Sequence, residues 1–229
     1  MVIDISHVRN LPLFRHMEPA ALTRLMARAT PQRFPQGAIV FEQGAEAVAF
    51  YVLLHGRLKV SQVTADGQQV MVRVVHPGDL FGFARALTRN DYPGTAKAAM
   101  DSLVISWPMT DWDAVVEGHP RLAMNAMQAI GQRLDEAHTR LREMTTEDAG
   151  RRIAHLLLRL ARHAGPGPDP VEIPFPITRQ DIADMSGNTL HTASRIMAAW
   201  EAEGILLRAR RKVIIADTAG LAAIAETRD

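Results

Sequence analysis

Apolar positions change their spacing three times along the chain. In residues 1–30 they form short helical clusters, with Pro12 and Pro19 at helix starts and Ala20, Ala21, Leu22, Leu25 and Met26 making a stripe that Pro31 ends. These pieces are predicted to pack against the rest of their domain. From Gln32 to about Trp107 the pattern becomes short β-rich runs at 38–41, 50–54, 57–60, 70–75 and 103–106. Gly37, Gly44, Gly56, Gly67 and Gly78 sit where runs end, and Ala65-Asp66-Gly67 reads as a hairpin turn. Regularly spaced short strands predict a sandwich or jelly roll.

Residues 120–145 carry the clearest period. Ala123, Met127, Ile130, Leu134, Ala137, Leu141 and Met144 alternate spacings of four and three, a heptad seam flanked by charged and polar residues. So narrow a seam suits a partner helix, which predicts a parallel two-stranded coiled coil across a homodimer axis, although the first two turns can pack on the chain's own barrel. Thr145-Thr146 marks a hinge, after which Ile153, Leu156, Leu157 and Leu160 start a new apolar face. A loop at 164–170, with three prolines and two glycines, ends that helix. Val171-Glu172-Ile173 is then predicted to start a small hairpin.

Residues 178–204 read as a helix-turn-helix. Thr178 can cap a helix bearing Ile182, Ala183 and Met185, Ser186-Gly187-Asn188 breaks it, and Thr189 can cap a second helix whose stripe is Ala193, Ile196, Met197 and Trp200. Gly204 stops that helix. Its opposite face opens with His191, Thr192, Ser194 and Arg195, groups able to hydrogen-bond base edges or phosphates where a recognition helix carries its readers. An apolar run at 205–207, a basic turn at 208–212 and a second run at 213–215 predict a wing, and a short helix from about Thr218 follows. The expected class is α+β: a sensor β-roll with flanking helices at 1–118, a dimerisation helix at 119–145, and a winged helix-turn-helix domain at 146–229.

Bulk charge adds little. The 229 residues carry a formal charge of +1, and acidic and basic residues are equal, 11 each, from Thr146 to Asp229. The attraction for phosphate is local: between Asn188 and Lys212 five basic residues face two acidic ones. The absence of cysteine excludes disulfides, thiolate zinc and cysteine-held iron–sulfur clusters. A metal-dependent cupin enzyme would need paired His-x-His ligands, but His55 and His76 stand alone; a catalytic triad has neither serine elbow nor cysteine. No apolar run of about 18 residues suggests a membrane span, and the first ten residues lack a signal-like basic flank, so a cytoplasmic, non-enzymatic protein without membrane contact is expected.

Glycine-punctuated β-roll, heptad helix and winged helix, in that order, resemble the Crp/Fnr family of bacterial transcription regulators. The resemblance is carried by the five glycines, Gly78-Asp79-Leu80-Phe81-Gly82, the heptad helix, and Thr178-Arg179-Gln180-Asp181-Ile182-Ala183 with Ser194-Arg195. It implies a β-roll like that of cyclic-nucleotide-binding domains, a homodimer on double-stranded DNA at an inverted repeat, and RNA polymerase as a further partner. By the same resemblance His191, Ser194 and Arg195 would read bases, while Thr178, Arg179, Gln180, Thr189, Thr192, Arg210 and Arg211 would hold the backbone.

The sensor departs from the cyclic-AMP pattern. The family's glutamate after Gly82 is Phe83 here, its arginine falls within an arginine-free stretch, 91–96, and the helix's Thr-Ser pair is replaced by Ala137-His138. The haem ligand expected of carbon-monoxide sensors two residues past Gly82 is Ala84. Cysteine-free Dnr/NnrR-type, nitric-oxide-responsive regulators are similar in Tyr92-Pro93-Gly94-Thr95-Ala96 and in His191-Thr192-Ala193-Ser194-Arg195. That similarity implies a haem cofactor and a gas effector, with His16, His55, His76 and several methionines as axial candidates, none selected by spacing. A regulator of the same family controlled by another small molecule, a cyclic nucleotide included, or by none, is the alternative, and a β-barrel metalloenzyme with a regulatory tail is the remote one.

Overall fold

β3 (Ala49–His55) is a nearly continuous apolar run because both of its faces are covered. Phe50 and Val52 point into one core with Leu13, Phe14, Leu22, Leu25, Ile105 and Trp107, while Tyr51 and Leu53 point into another with Leu58, Val75, Phe81, Tyr92 and Val104. The computed structural model describes residues 5–164 and 168–227, which fall into two compact units, one up to Asp135 and one from Glu136. The division lies within the helix expected to join the domains.

In the first unit α1 (Ile5–Arg9), a 3-10 turn (Pro12–Phe14) and α2 (Pro19–Ala27) precede the strands. Pro12 and Pro19 open their helices, as the sequence predicts. β1 (Thr30–Phe34), β8 (Ser102–Pro108), β3 and β6 (Leu80–Phe81) form one sheet in that order. β2 (Ile39–Phe41), β7 (Thr95–Ala98), β4 (Leu58–Val63) and β5 (Gln69–Val75) form the other. All pairings are antiparallel, the jelly-roll arrangement expected. The first core lies between the helices and the first sheet, and Trp107 Nε1 donates to the Leu25 carbonyl at 3.0 Å across it. α3 (Trp112–Gly118) leads into α4 (Pro120–Thr146).

Three strands went unforeseen. Pro31 does not simply end a helix: it lies within β1, at the sheet edge where a missing N–H costs no ladder bond. β6 is only two residues long, and β7 is Thr-Ala-Lys-Ala, whose Ala96 and Ala98 are buried despite alanine's weak strand preference.

In the second unit Asp148 accepts from the Gly150 and Arg151 amides to start α5 (Ala149–Ala161), which buries the expected Ile153, Leu156, Leu157 and Leu160. Gly165, Pro166 and Gly167 of the expected loop lie outside the described residues. β9 (Val171–Glu172) is followed by α6 (Arg179–Ser186), α7 (Leu190–Ala202), β10 (Leu206–Leu207), β11 (Ile214–Ile215) and α8 (Thr218–Glu226). β9 does not start a local hairpin. It pairs antiparallel with β11, giving the sheet order β10-β11-β9.

Candidate nucleic-acid interface and sensor cavity

Local chemistry fixes both helices of the helix-turn-helix. The Thr178 hydroxyl accepts from the Asp181 amide while Asp181 accepts from the Thr178 amide at 2.7 Å, a reciprocal cap that starts α6. Gly187, at φ 64°, ends it in the left-handed conformation. Thr189 then caps α7 through the Thr192 amide at 3.1 Å. Ala193, Met197 and Trp200 are buried and Ile196 is half-buried, so the expected stripe faces the core.

That packing leaves His191 and Arg195 exposed and Ser194 half-buried on the first two turns of α7. Positions 191 and 195 lie one turn apart, so both side chains project from one side of the helix. Leu190, missed by the sequence reading, stands exposed at the first helical position. It adds an apolar group of the kind that contacts a thymine methyl.

Several groups expected at the DNA backbone also have work within the fold. The Thr178 hydroxyl donates to Asp181 at 2.7 Å, Thr189 donates to Thr192 at 2.9 Å, and Gln180 donates to Asp184 at 2.6 Å. Arg179 reaches the Ser194 carbonyl at 3.3 Å and Glu201 at 2.7 Å. Arg210 and Arg211 are exposed in the turn between β10 and β11, with Arg211 at φ 58°. Their neighbour Lys212 pairs with Glu172 at 2.8 Å.

A second residue absent from the sequence reading organises the turn. Arg152 of α5 donates to the Ser186 carbonyl at 3.0 Å, the Glu147 carbonyl at 2.7 Å and the Asn188 side-chain oxygen at 2.7 Å. Its only signal in the sequence is a charge within an amphipathic helix, which ordinarily reads as a solvated face.

α4 presents two faces. Leu122 enters the first core, and Asn125 donates to the carbonyls of Leu13 at 2.8 Å and Arg15 at 2.9 Å. Ala123 is half-buried beside them. Met127, Ile130, Leu134, Ala137, Leu141 and Met144 are exposed, with Met127 at 68% and Leu141 at 61%. Monomers rarely leave so continuous an apolar row in water. Met144 also lies against Gly187 within the second unit.

The first unit contains a cavity of about 200 Å³ lined by Phe41, Val60, Gln62, Val72, Arg73, Phe81, Gly82, Phe83, Ala84, Leu87, Pro93 and Gly94. Phe83, where the resemblance implies a glutamate, is part of its wall. Tyr92 is a packing residue: its ring stacks on Phe41 at 3.9 Å and its hydroxyl bridges the Ala49 carbonyl and amide at 2.8 and 3.1 Å. Burial, then the neighbouring Tyr92, push the Tyr51 phenol above its ordinary range. No histidine or methionine lines the cavity, so its residues do not fit a haem. His55 lines a separate groove with Arg33, Phe34, Pro35, Asp101, Ser102 and Leu103. His76 is held near Asp79, and His16 sits at φ 62° on the surface. Among the described residues no three histidine, cysteine, aspartate or glutamate side chains cluster as a metal site, and no helix is long and apolar enough to cross a membrane.

Comparison with known proteins agrees with both halves. Residues 31–119 match the cyclic nucleotide-binding domain family and residues 151–224 the Crp-like helix-turn-helix domain family. A cyclic AMP receptor protein of Thermus thermophilus is 28% identical over 199 residues, 87% of this chain and 89% of its own length. The transcriptional activator protein FnrA of Stutzerimonas stutzeri is 26% identical over 217 residues, 94% of this chain and 88% of its own. The structure of FixK2 from Bradyrhizobium japonicum, 20% identical, shares the fold with a TM-score of 0.74, covering 88% of this chain and 99% of that one.

Proposed function

We propose that this chain, whose two halves match the cyclic nucleotide-binding and Crp-like helix-turn-helix families, is a Crp/Fnr-type DNA-binding transcription regulator acting as a homodimer that reads an inverted-repeat operator through His191, Ser194 and Arg195. The observation that carries this reading is the first two turns of α7. Its apolar stripe is buried, its N-terminus is capped, and it offers an imidazole, a hydroxyl and a guanidinium to one groove. Arg195 would give its planar fork to guanine O6 and N7, Ser194 would meet a thymine or phosphate, and His191 would read the adjacent base. Thr178, Arg179, Gln180, Thr189, Thr192, Arg210 and Arg211 would hold phosphates and fix register.

The exposed face of α4 supports the dimer, and twofold symmetry asks for half-sites about one helical turn apart. RNA polymerase is the partner through which such a regulator acts on transcription. Selection from a random duplex library tests the reading: an enriched inverted repeat supports it, and enrichment of no common sequence contradicts it.

For the finer reading, a haem-based response to nitric oxide, the supporting residue is His55, an exposed imidazole beside Phe34, Pro35 and Leu103. A Soret band from haem-reconstituted protein, lost in His55→Ala and shifted by nitric oxide, is the expected result; an unchanged band in His55→Ala removes His55 as ligand. We assign the haem no step in DNA binding.

A further inference from the structure

Methionine is unevenly exposed along the chain. Among the described residues the exposed methionines are Met124, Met127 and Met144, 52%, 68% and 54% open to solvent, and all of them lie on α4. The other described methionines are buried or half-buried. Since the sequence has no cysteine, these thioethers are the accessible sulfur of the described chain. Met127 and Met144 are the first and last residues of the exposed seam row, whereas Met124 stands beside the row.

Met144 has a second contact. Its methyl lies 2.8 Å, and its Sδ 3.5 Å, from where a Cβ on Gly187 would stand, in the turn of the helix-turn-helix. The Gly187 carbonyl accepts from Arg152 Nη2 at 3.4 Å in the same turn. One thioether therefore belongs to the seam row and touches the turn that sets α7.

We propose that Met127 and Met144 are sites of reversible oxidation, at which a peroxide forms methionine sulfoxide and thereby holds the chain as a monomer with weakened operator binding. The inference rests on reading the exposed row of α4 as the dimer seam. A thioether lone pair attacks one oxygen of hydrogen peroxide, so that an S–O bond forms as the O–O bond breaks. The departing hydroxide takes the proton of the transferred oxygen and leaves as water. Sulfur loses two electrons and the peroxide gains them. A sulfoxide reductase reverses the change: two of its own thiols become a disulfide, and the oxygen leaves as water.

Oxidation turns a flexible apolar side chain into a polar acceptor. In a parallel seam each such acceptor faces its own copy with no donor between them, and at Met144 the new oxygen also enters the turn beside Gly187. Dimerisation covers the same sulfurs, so oxidant and partner compete for one face and the dissociated chain is the form modified.

The test exposes the full chain to hydrogen peroxide at several protein concentrations and follows it by peptide mass mapping, sedimentation and operator binding. Met127 and Met144 should each gain an oxygen before any buried methionine does, and more slowly as protein concentration rises. The modified chain should dimerise about tenfold or more weakly and lose operator affinity, and a methionine sulfoxide reductase with thiol should restore both. Met127→Leu/Met144→Leu keeps the seam apolar, so it should dimerise like wild type and keep its operator affinity after peroxide. Met124→Leu should leave the response to peroxide as in wild type. Equal oxidation of buried methionines, rates at Met127 and Met144 indifferent to protein concentration, protection by Met124→Leu, or equal loss of operator binding in the double leucine variant overturns the proposal. Untreated protein that is monomeric at every concentration removes the dimer reading itself, whereas a dimer that survives oxidation of both methionines removes this inference alone.

Discussion

Arg179 Nη2 donates to Glu201 Oε1 at 2.7 Å, joining the start of the first helix of the helix-turn-helix to the last turns of the second. The pair is partly open to solvent, so its contribution is modest, about 0.2–1 kcal/mol. Glu201→Ala should lower the melting temperature slightly yet bind duplex DNA at least as tightly at low salt, because Arg179 is released toward phosphate. Arg179→Ala should lose both the pair and the phosphate contact, weakening binding to every sequence alike. Equal DNA affinity in Arg179→Ala and wild type would leave Arg179 a purely structural role.

Gly187 meets two demands at once. Its φ of 64° is in the left-handed region, and a Cβ there would lie 2.8 Å from the Met144 methyl. Gly187→Ala should cost about 1–2 kcal/mol, mostly from the backbone, since the Met144 methyl is the free end of a flexible side chain and can move. Adding Met144→Ala should therefore recover little of the loss in chemical denaturation. Full recovery would mean that the contact, and not the backbone, dominates.

The exposed row on α4 predicts self-association. Leu134→Glu would set like charges across a parallel seam, where heptad positions face their own copies. Sedimentation should show monomer, and half-site cooperation on an inverted repeat should disappear. A stable dimer with Leu134→Glu would move the interface elsewhere.

His119 ends α3, and burial, followed by Arg24, disfavours its charged form. Its folded pKa is lowered, so the protonated form is favoured in the unfolded chain. Stability from this residue is complete above the unfolded value of about 6.5 and is lost as pH falls below it. Between pH 7.5 and 5.5 the wild type should lose more melting temperature than His119→Gln; an equal loss would assign the pH response to other groups.

The helix-turn-helix was readable because each boundary has its own chemistry: Thr178, Gly187 and Thr189 announce themselves one residue at a time. The main strands were readable where valine, isoleucine and phenylalanine cluster, as in β3 and β5. β7 was not, because Ala96 and Ala98 are buried by the sheet around them and not by any strand preference of their own. The network of Arg152 was equally hidden, since it joins residues far apart in the chain. Leu190 was overlooked for a different reason. An apolar residue beside a cap reads as core until the helix orientation is known.

Whether α7 reads bases through Arg195 is decided by operator affinity across salt concentration. Wild type, Arg195→Ala and Arg210→Ala/Arg211→Ala are titrated on the selected inverted repeat and on one with its guanines replaced. Arg195→Ala should lose about 1–3 kcal/mol of discrimination per guanine contact, while the double wing variant should weaken on both duplexes with a shallower salt slope. If Arg195→Ala distinguishes the two duplexes as well as wild type does, α7 is not reading guanine through Arg195.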